Sequence, residues 1–257
     1  LSLKDNIAKA FCREVISLDI KNEKFLELAI RKKRLLSSFN VILVRQDPPY
    51  DMKYLTATYI LEKVAGKTKV LNNPTSIRNS PEKILVTDFY DLMPPTLISK
   101  NKSDINNFLK NHKSCVLKPL YGNGGKDVYF SSLKDPNLNV IIEKFLEDDV
   151  HFIIQKFIKN VSSGDKRILL IDGDPVGAIN RIPKKKQIRA NIHIGGTAKK
   201  TSLTKKDLKI CKRIKDTLKS RGLFFTGIDI IDNYLTEINV TSPTCIREIN
   251  FFNKDKI

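Results

Sequence analysis

The segment Gly227-Ile228-Asp229-Ile230-Ile231-Asp232-Asn233-Tyr234-Leu235-Thr236-Glu237-Ile238-Asn239-Val240 constrains this chain more than any other. Apolar residues flank Asp232-Asn233, a turn pair, on both sides, so the segment reads as a β-hairpin. Glu237 and Asn239 are two apart and share one strand face, and Asp229 falls nearly opposite them on the partner strand. Oxygen-bearing side chains therefore converge inside an otherwise apolar hairpin, where a buried carboxylate needs a partner. Two carboxylates and an amide suit Mg2+, with nucleotide phosphates and water completing an octahedron. A solvated face, or salt bridges to the chain's many lysines, is the competing reading.

The hairpin needs a core to rest on. At 257 residues and 41% hydrophobic content, the chain suits a compact domain of two or three subdomains, or two small domains. No apolar run approaches the roughly 18–20 residues of a spanning helix, no repeat is visible, and the apolar content opposes wholesale disorder. The net charge of +18 invites a nucleic-acid partner. However, Lys far outnumbers Arg and the lysines are dispersed, as an AT-rich genome would produce on solvated surfaces. A small polyanion such as ATP fits a few of these charges; nucleic acid and membrane partners are not expected. Cys12, Cys115, Cys211 and Cys245 stand far apart with no CxxC pair, which predicts reduced thiols and a cytoplasmic setting. Residues 1–18 lack a signal-peptide pattern, and a chain beginning at Leu1 reads as a fragment.

Along the chain, residues 25–39 carry apolar positions near helical spacing, with Arg31–Arg34 on the wet side. Residues 41–44 predict a buried strand stopped by Asp47-Pro48-Pro49, residues 54–64 a helix, and Val70-Leu71 a short strand before the Asn72-Asn73-Pro74 turn. Together they suggest an α/β layer with parallel strands. After residue 80 an extended stretch over 92–98 precedes a helix with Ser103 as N-cap. Strands are expected at 115–117, 128–130 and 152–157, a helix or strand at 140–145, and a hairpin around Asp172-Gly173. A clear amphipathic helix over 203–221 starts at Ser202 or Thr204 and ends before Gly222. This second region reads as α+β with antiparallel pairs.

Three further segments could carry chemistry. In Val116-Leu117-Lys118-Pro119-Leu120-Tyr121-Gly122-Asn123-Gly124-Gly125-Lys126, a strand runs into glycines whose backbone N–H groups could cradle a phosphate. Lys118 stands at the strand end. It is neither a P-loop nor a Rossmann fingerprint, and a mobile hairpin tip is the plain alternative. Asn239-Val240-Thr241-Ser242-Pro243-Thr244-Cys245-Ile246-Arg247-Glu248 offers hydroxyls and an Arg fork suited to a carboxylate, or simply a helix cap. Residues 181–196 are basic and end in Gly195-Gly196, like a lid over phosphates or a solvated loop. His112, His151 and His193 have no metal-ligand spacing.

At these residues the chain resembles bacterial glutathione synthetases of the ATP-grasp superfamily, over nearly its whole length. The string Thr236–Glu248 carries the resemblance most specifically. Arg45-Gln46-Asp47-Pro48-Pro49-Tyr50-Asp51, Ala57–Glu62, Gly164-Asp165-Lys166-Arg167 and Gly227–Ile231 support it. The resemblance implies an ATP-grasp fold, two α+β subdomains gripping ATP, preceded by a truncated Rossmann-like α/β domain. It divides the chain into residues 1–79, 80–157 and 158–257, with a lid at 181–197. The family's first strand and helix would precede Leu1, and a short final helix would follow Ile257.

The implied activity is ATP-dependent joining of γ-glutamylcysteine to glycine through an acyl phosphate, with Mg2+ (or Mn2+) as cofactor. The implied ATP contacts are Lys83, Lys118, Gly122, Gly124, Gly125, Gln155, Lys156, Phe157, Ile158 and Asp165, the last at the ribose. Asp229, Glu237 and Asn239 are the implied metal ligands. Arg167, Arg181 and Arg189 are implied catalytic contacts, and Arg45, Ser242, Pro243, Thr244 and Arg247 implied substrate contacts. A homo-oligomer, a tetramer by resemblance, and a cytoplasmic location are expected. The chain departs from the family pattern at Tyr121, where other members carry Asp, at Lys184–Lys186 in the lid, and at Thr197. A different ATP-grasp carboxylate–amine ligase is the alternative, and a basic nucleic-acid-binding module the more distant one.

Overall fold

The computed structural model describes residues 1–19, 25–122, 124–184, 187, 190 and 195–254. In chain order the strands are β1 Ser2–Lys4, β2 Ile7–Cys12, β3 Val15–Leu18, β4 Leu26–Leu28, β5 Lys32–Leu35, β6 Val41–Leu43, β7 Lys69–Leu71, β8 Thr96–Ser99, β9 Ser114–Pro119, β10 Tyr129–Ser132, β11 Phe152–Lys156, β12 Asp165–Ile171, β13 Asp174–Ile182, β14 Thr197–Lys200, β15 Phe225–Ile231 and β16 Tyr234–Asn239. The helices are α1 Met52–Glu62, α2 Pro74–Arg78, α3 Glu82–Leu85, α4 Lys102–His112, α5 Leu138–Leu146, α6 Lys205–Ser220 and α7 Ile246–Asn253.

The N-terminal residues hold the main departures from the sequence expectations. Residues 25–39 form no α-helix: their described part makes β4, β5 and a short 3-10 turn. The helical spacing was a coincidence of apolar residues in two strands, whose positions are all exposed. β6 exists and pairs in parallel with β7 through α1, a βαβ unit, but Val41 and Leu43 are exposed rather than buried. Further on, α4 is capped by Asn101, which accepts the backbone N–H of Ser103 and Asp104, and not by Ser103. An Asn at this position satisfies N–H groups that the first turn leaves unpaired.

Two antiparallel sheets dominate the rest. The first has the order β10-β9-β11-β8. Its alternation puts Cys115, Leu117, Phe152 and Ile154 against α4 and α5, leaving Val116, Lys118 and Gln155 for the opposite face. The second has the order β14-β13-β12-β15-β16. Ile168, Leu170, Ile228 and Ile230 pack on Ile210, Ile214 and Leu218 of α6 and on Leu85 and Phe89. Thr204 caps α6 through a reciprocal capping box with Asp207, as one of the two residues anticipated. The same period of two sends Asp165, Arg167, Asp229, Glu237 and Asn239 to the other face, towards the first sheet.

Candidate active site

Both sheets turn their polar faces into a shared cleft of about 550 Å³. From the first sheet come Val116, Lys118 and Gln155; from the second, Asp165, Arg167, Arg181, Asp229, Glu237 and Asn239. Gly122, Gly124 and Gly125 lie at the mouth, and Lys156, Phe157 and Ile158 along one wall. Gly124 and Gly125 have φ of 62° and 74°, a region that a side chain would strain.

The cleft is organised by charge. Register pairs Asp229 directly with Glu237 and Gly227 with Asn239, so the convergence read from the hairpin is present. Lys83 and Lys118 stand 3.8 and 3.7 Å from Glu237 Oε1. Lys83 also donates to the Gly122 carbonyl at 2.5 Å, and Lys118 to Gln155 Oε1 at 3.4 Å. Burial pushes the Lys118 ammonium down from its ordinary value, with Glu237 pulling the other way.

Asp229 is held differently. Arg167 donates to its Oδ1 and Oδ2 at 2.5 and 2.9 Å, Arg181 lies 2.9 Å from Oδ1, and Asn239 Nδ2 donates to Oδ2 at 3.3 Å. Burial works to raise this carboxyl, but the two guanidiniums overcome it and hold Asp229 well below the usual carboxylate range. Arg181 also donates to Asp165 Oδ2. Burial pushes Asp165 up to about 6, against the pull of Arg181, and Asp165 Oδ1 is buried with no partner among the described residues. Gly227 makes this arrangement possible: a Cβ there would lie 3.0 Å from Pro243 Cβ and 3.1 Å from Arg167 Cδ.

As donors for a divalent cation, the residues fit with one qualification. Glu237 and Asn239 present carboxylate and amide oxygens on one strand face, suited to a hard ion that takes its other oxygens from phosphates. Asp229 has both oxygens engaged by arginines. No three His, Cys, Asp or Glu side chains cluster as a metal site among the described residues, so the amide and a ligand's own oxygens would be needed.

Other expected residues sit as follows. Ser242 and Thr244 line the cleft, whereas Pro243 is buried beside Gly227. Arg45 lies outside the lining: it donates to the Pro243 carbonyl at 2.8 Å and stacks over Phe225. Arg247 is exposed on α7 and does not line the cleft. Arg189, with Lys185, Lys186 and other positions of the 181–197 lid, lies outside the described residues; Ala190 lines the cleft. Lys126 and Thr241 line the cleft from within segments already singled out, whereas sequence reasoning gave no role to Asp47, Glu82, Val128 and Thr236. Val128 was legible from strand alternation; Thr236 was not, because alternation with Glu237 and Asn239 turns it away from the cleft and the β-bulge beside it changes that. Glu82 accepts from Thr241 Oγ1 at 2.7 Å across 159 positions, which no local pattern announces; burial pushes its carboxyl up.

The chain matches the N-terminal domain of prokaryotic glutathione synthetase over residues 1–78 and the ATP-grasp domain of that family over residues 82–254. It is 46% identical over 258 residues to the glutathione synthetase of Brucella melitensis, covering 100% of this chain and 82% of that protein. To the Mesorhizobium japonicum enzyme of the same name it is 47% identical over 255 residues, covering 98% and 80%. Among solved structures, a D-cycloserine synthetase superimposes with a TM-score of 0.63 at 17% identity, covering 80% of this chain and 77% of that one. D-alanyl-alanine synthetase A of Vibrio cholerae gives 0.61 at 14% identity, covering 85% and 73%. At such identities the structural likeness speaks for the fold alone, which is ATP-grasp.

Proposed function

The chain belongs to the prokaryotic glutathione synthetase family, and from that premise we propose that its cleft ligates γ-glutamylcysteine to glycine, giving glutathione, ADP and phosphate. A cysteinyl carboxylate oxygen attacks the γ-phosphorus of ATP, and the bond to the β-phosphate oxygen breaks to release ADP. The glycine amine then attacks the acyl carbon, phosphate leaves, and the amine proton passes to solvent. The observation that carries this reading is the pair of ammonium groups, Lys83 and Lys118, held within 4 Å of Glu237 at the junction of the two sheets. Phosphoryl transfer needs positioning and charge neutralisation more than covalent help.

In this reading Lys83, Lys118, Gly122, Gly124 and Gly125 hold the phosphates. The 155–158 wall receives adenine, and Asp165 Oδ1, buried and without a partner among the described residues, meets the ribose. Glu237 and Asn239, with Asp229 behind them, hold Mg2+ or Mn2+. When bound, that ion supplies positive charge to the phosphate oxygens. Arg167, Arg181, Arg189 and the 242–244 turn bind carboxylates of the dipeptide and glycine, with Arg45 supporting that turn and Arg247 beyond it. The lid excludes water from the acyl phosphate. The three units 1–79, 80–157 and 158–257, a homo-oligomeric assembly and a cytoplasmic setting belong to the same proposal. No helix among the described residues is long and apolar enough to cross a membrane.

Incubation with ATP, Mg2+, glycine and γ-glutamylcysteine, alongside a panel of dipeptides and amino acids, tests the reading. Glutathione should be the dominant product. ADP release that instead follows two amino acids, such as a pair of D-alanines, assigns the cleft to another ATP-grasp ligase.

A further inference from the structure

The carboxylates that line the cleft are each paired with a cation or turned onto the protein's own donors, with one exception. Asp165 is paired with Arg181, Asp229 with Arg167 and Arg181, and Glu237 with Lys83 and Lys118. Glu82 is turned onto the backbone N–H and hydroxyl of Thr241. Asp47 alone among the lining carboxylates is exposed and makes neither an ion pair nor a second hydrogen bond among the described residues. Its Oδ1 accepts from Ser242 Oγ at 3.1 Å. Arg45, two residues earlier, lends a field but directs its guanidinium to the Pro243 carbonyl and the Phe225 ring. Asp47 follows β6, and Pro48 and Pro49 behind it stiffen the turn.

Resting on the reaction proposed above, we infer that Asp47 is the specificity-determining residue that receives the α-ammonium of the γ-glutamyl moiety, the one cationic group of the dipeptide substrate. The reacting cysteinyl carboxylate must lie near Lys83, Lys118 and Glu237. From there the chain runs through Asn239 to Ser242 and on to Asp47 at the rim. The ammonium stands at the end of the dipeptide remote from that carboxylate, so it reaches the rim when the carboxylate reaches the centre. Arginines and lysines in the cleft suit the carboxylates of the substrates, whereas an ammonium needs an anion. Glycine is the other amine, but it must lose a proton to attack, and a carboxylate beside it would hold that proton on. A fixed carboxylate with a free oxygen at the rim therefore fits the spectator ammonium better than the reacting amine.

The test pairs a protein change with a substrate change. kcat/KM is measured for γ-glutamylcysteine and for N-glutarylcysteine, which lacks only the α-amino group, in the unaltered protein, Asp47→Asn and Asp47→Glu. Asn can still accept from Ser242, so the turn keeps its contact. The unaltered protein should favour γ-glutamylcysteine by about 10- to 100-fold, the value of one charge-assisted hydrogen bond. In Asp47→Asn that preference should fall to near unity through a raised KM for γ-glutamylcysteine, with KM for ATP and glycine unchanged, and Asp47→Glu should recover part of it. A preference that survives in Asp47→Asn, or a raised KM for glycine in place of the dipeptide, overturns the inference while leaving the ligase reading intact. Failure of the unaltered protein to form glutathione overturns both.

Discussion

Replacing Lys118 with Met separates function from stability. Lys118 is buried at the end of β9, 3.7 Å from Glu237 Oε1. At an effective dielectric constant of about 20, that separation is worth about 4 kcal/mol of attraction. Taking an ammonium out of water costs several kcal/mol, and the downward displacement of the Lys118 pKa says that burial outweighs the pairing. Lys83 remains 3.8 Å from Glu237 after the change, so the carboxylate keeps a counter-charge. Met fills nearly the same volume. The net effect on folding should therefore be within about 1 kcal/mol, as for volume-conserving swaps. Turnover should behave otherwise. An ammonium fixed where phosphoryl charge develops is worth roughly 10²–10³ in rate, so ADP release should fall by about that factor. Urea unfolding and a coupled ADP assay on the same preparation read both quantities. Near-normal turnover, or a loss of stability above about 3 kcal/mol, would refute the reasoning.

Arg181→Met leaves Asp165 without its cation and Asp229 with Arg167 alone, so urea unfolding at neutral pH should show a loss of about 3–5 kcal/mol; an unchanged midpoint contradicts the buried network. Asp165 has a folded-state pKa of about 6, above its unfolded value near 3.9. Between those values the native chain holds more protons, so the stability from this group is full below the unfolded pKa and is lost as pH rises through 6. The stability of the unaltered protein relative to Asp165→Asn should consequently fall from pH 4 to pH 7, and a difference that stays flat or rises sinks the assignment. Glu237→Gln should lower turnover by about 10²-fold or more and raise the Mg2+ concentration for half-maximal rate; coincident Mg2+ titrations would make Glu237 a structural carboxylate.

Much of the second half of the chain was legible because strand alternation and turn chemistry agree there. Asp232-Asn233 sets the hairpin, and the period of two puts Glu237 and Asn239 on one face, but it takes a β-bulge between Asp229 and Ile230 to bring Glu237 rather than Thr236 directly opposite Asp229. The same hairpin left open what neutralises those carboxylates. In the folded protein it is Arg167 and Arg181 for Asp229 and Lys83 and Lys118 for Glu237, cations contributed by four different elements. Residues 25–39 misled because Leu28, Leu35 and Leu36 fall near helical spacing although they belong to two strands and a turn. Asp47 and Glu82 reach the 241–244 turn across 195 and 159 positions. Such contacts depend on how the N-terminal residues close over the second sheet, which neither periodicity nor spacing encodes. Lys83 came from family resemblance alone, since a Lys in the short helix α3 has no local signature.

The most direct test of the account follows one oxygen atom. γ-Glutamylcysteine labelled with ¹⁸O in the cysteinyl carboxylate is turned over with ATP and glycine, and the released phosphate is examined by mass spectrometry. If that carboxylate attacks the γ-phosphorus and glycine then displaces phosphate, each phosphate carries one ¹⁸O from the dipeptide and the amide of glutathione retains the other. Phosphate free of label, formed in step with glutathione, would contradict the acyl phosphate route and with it the role given to this cleft.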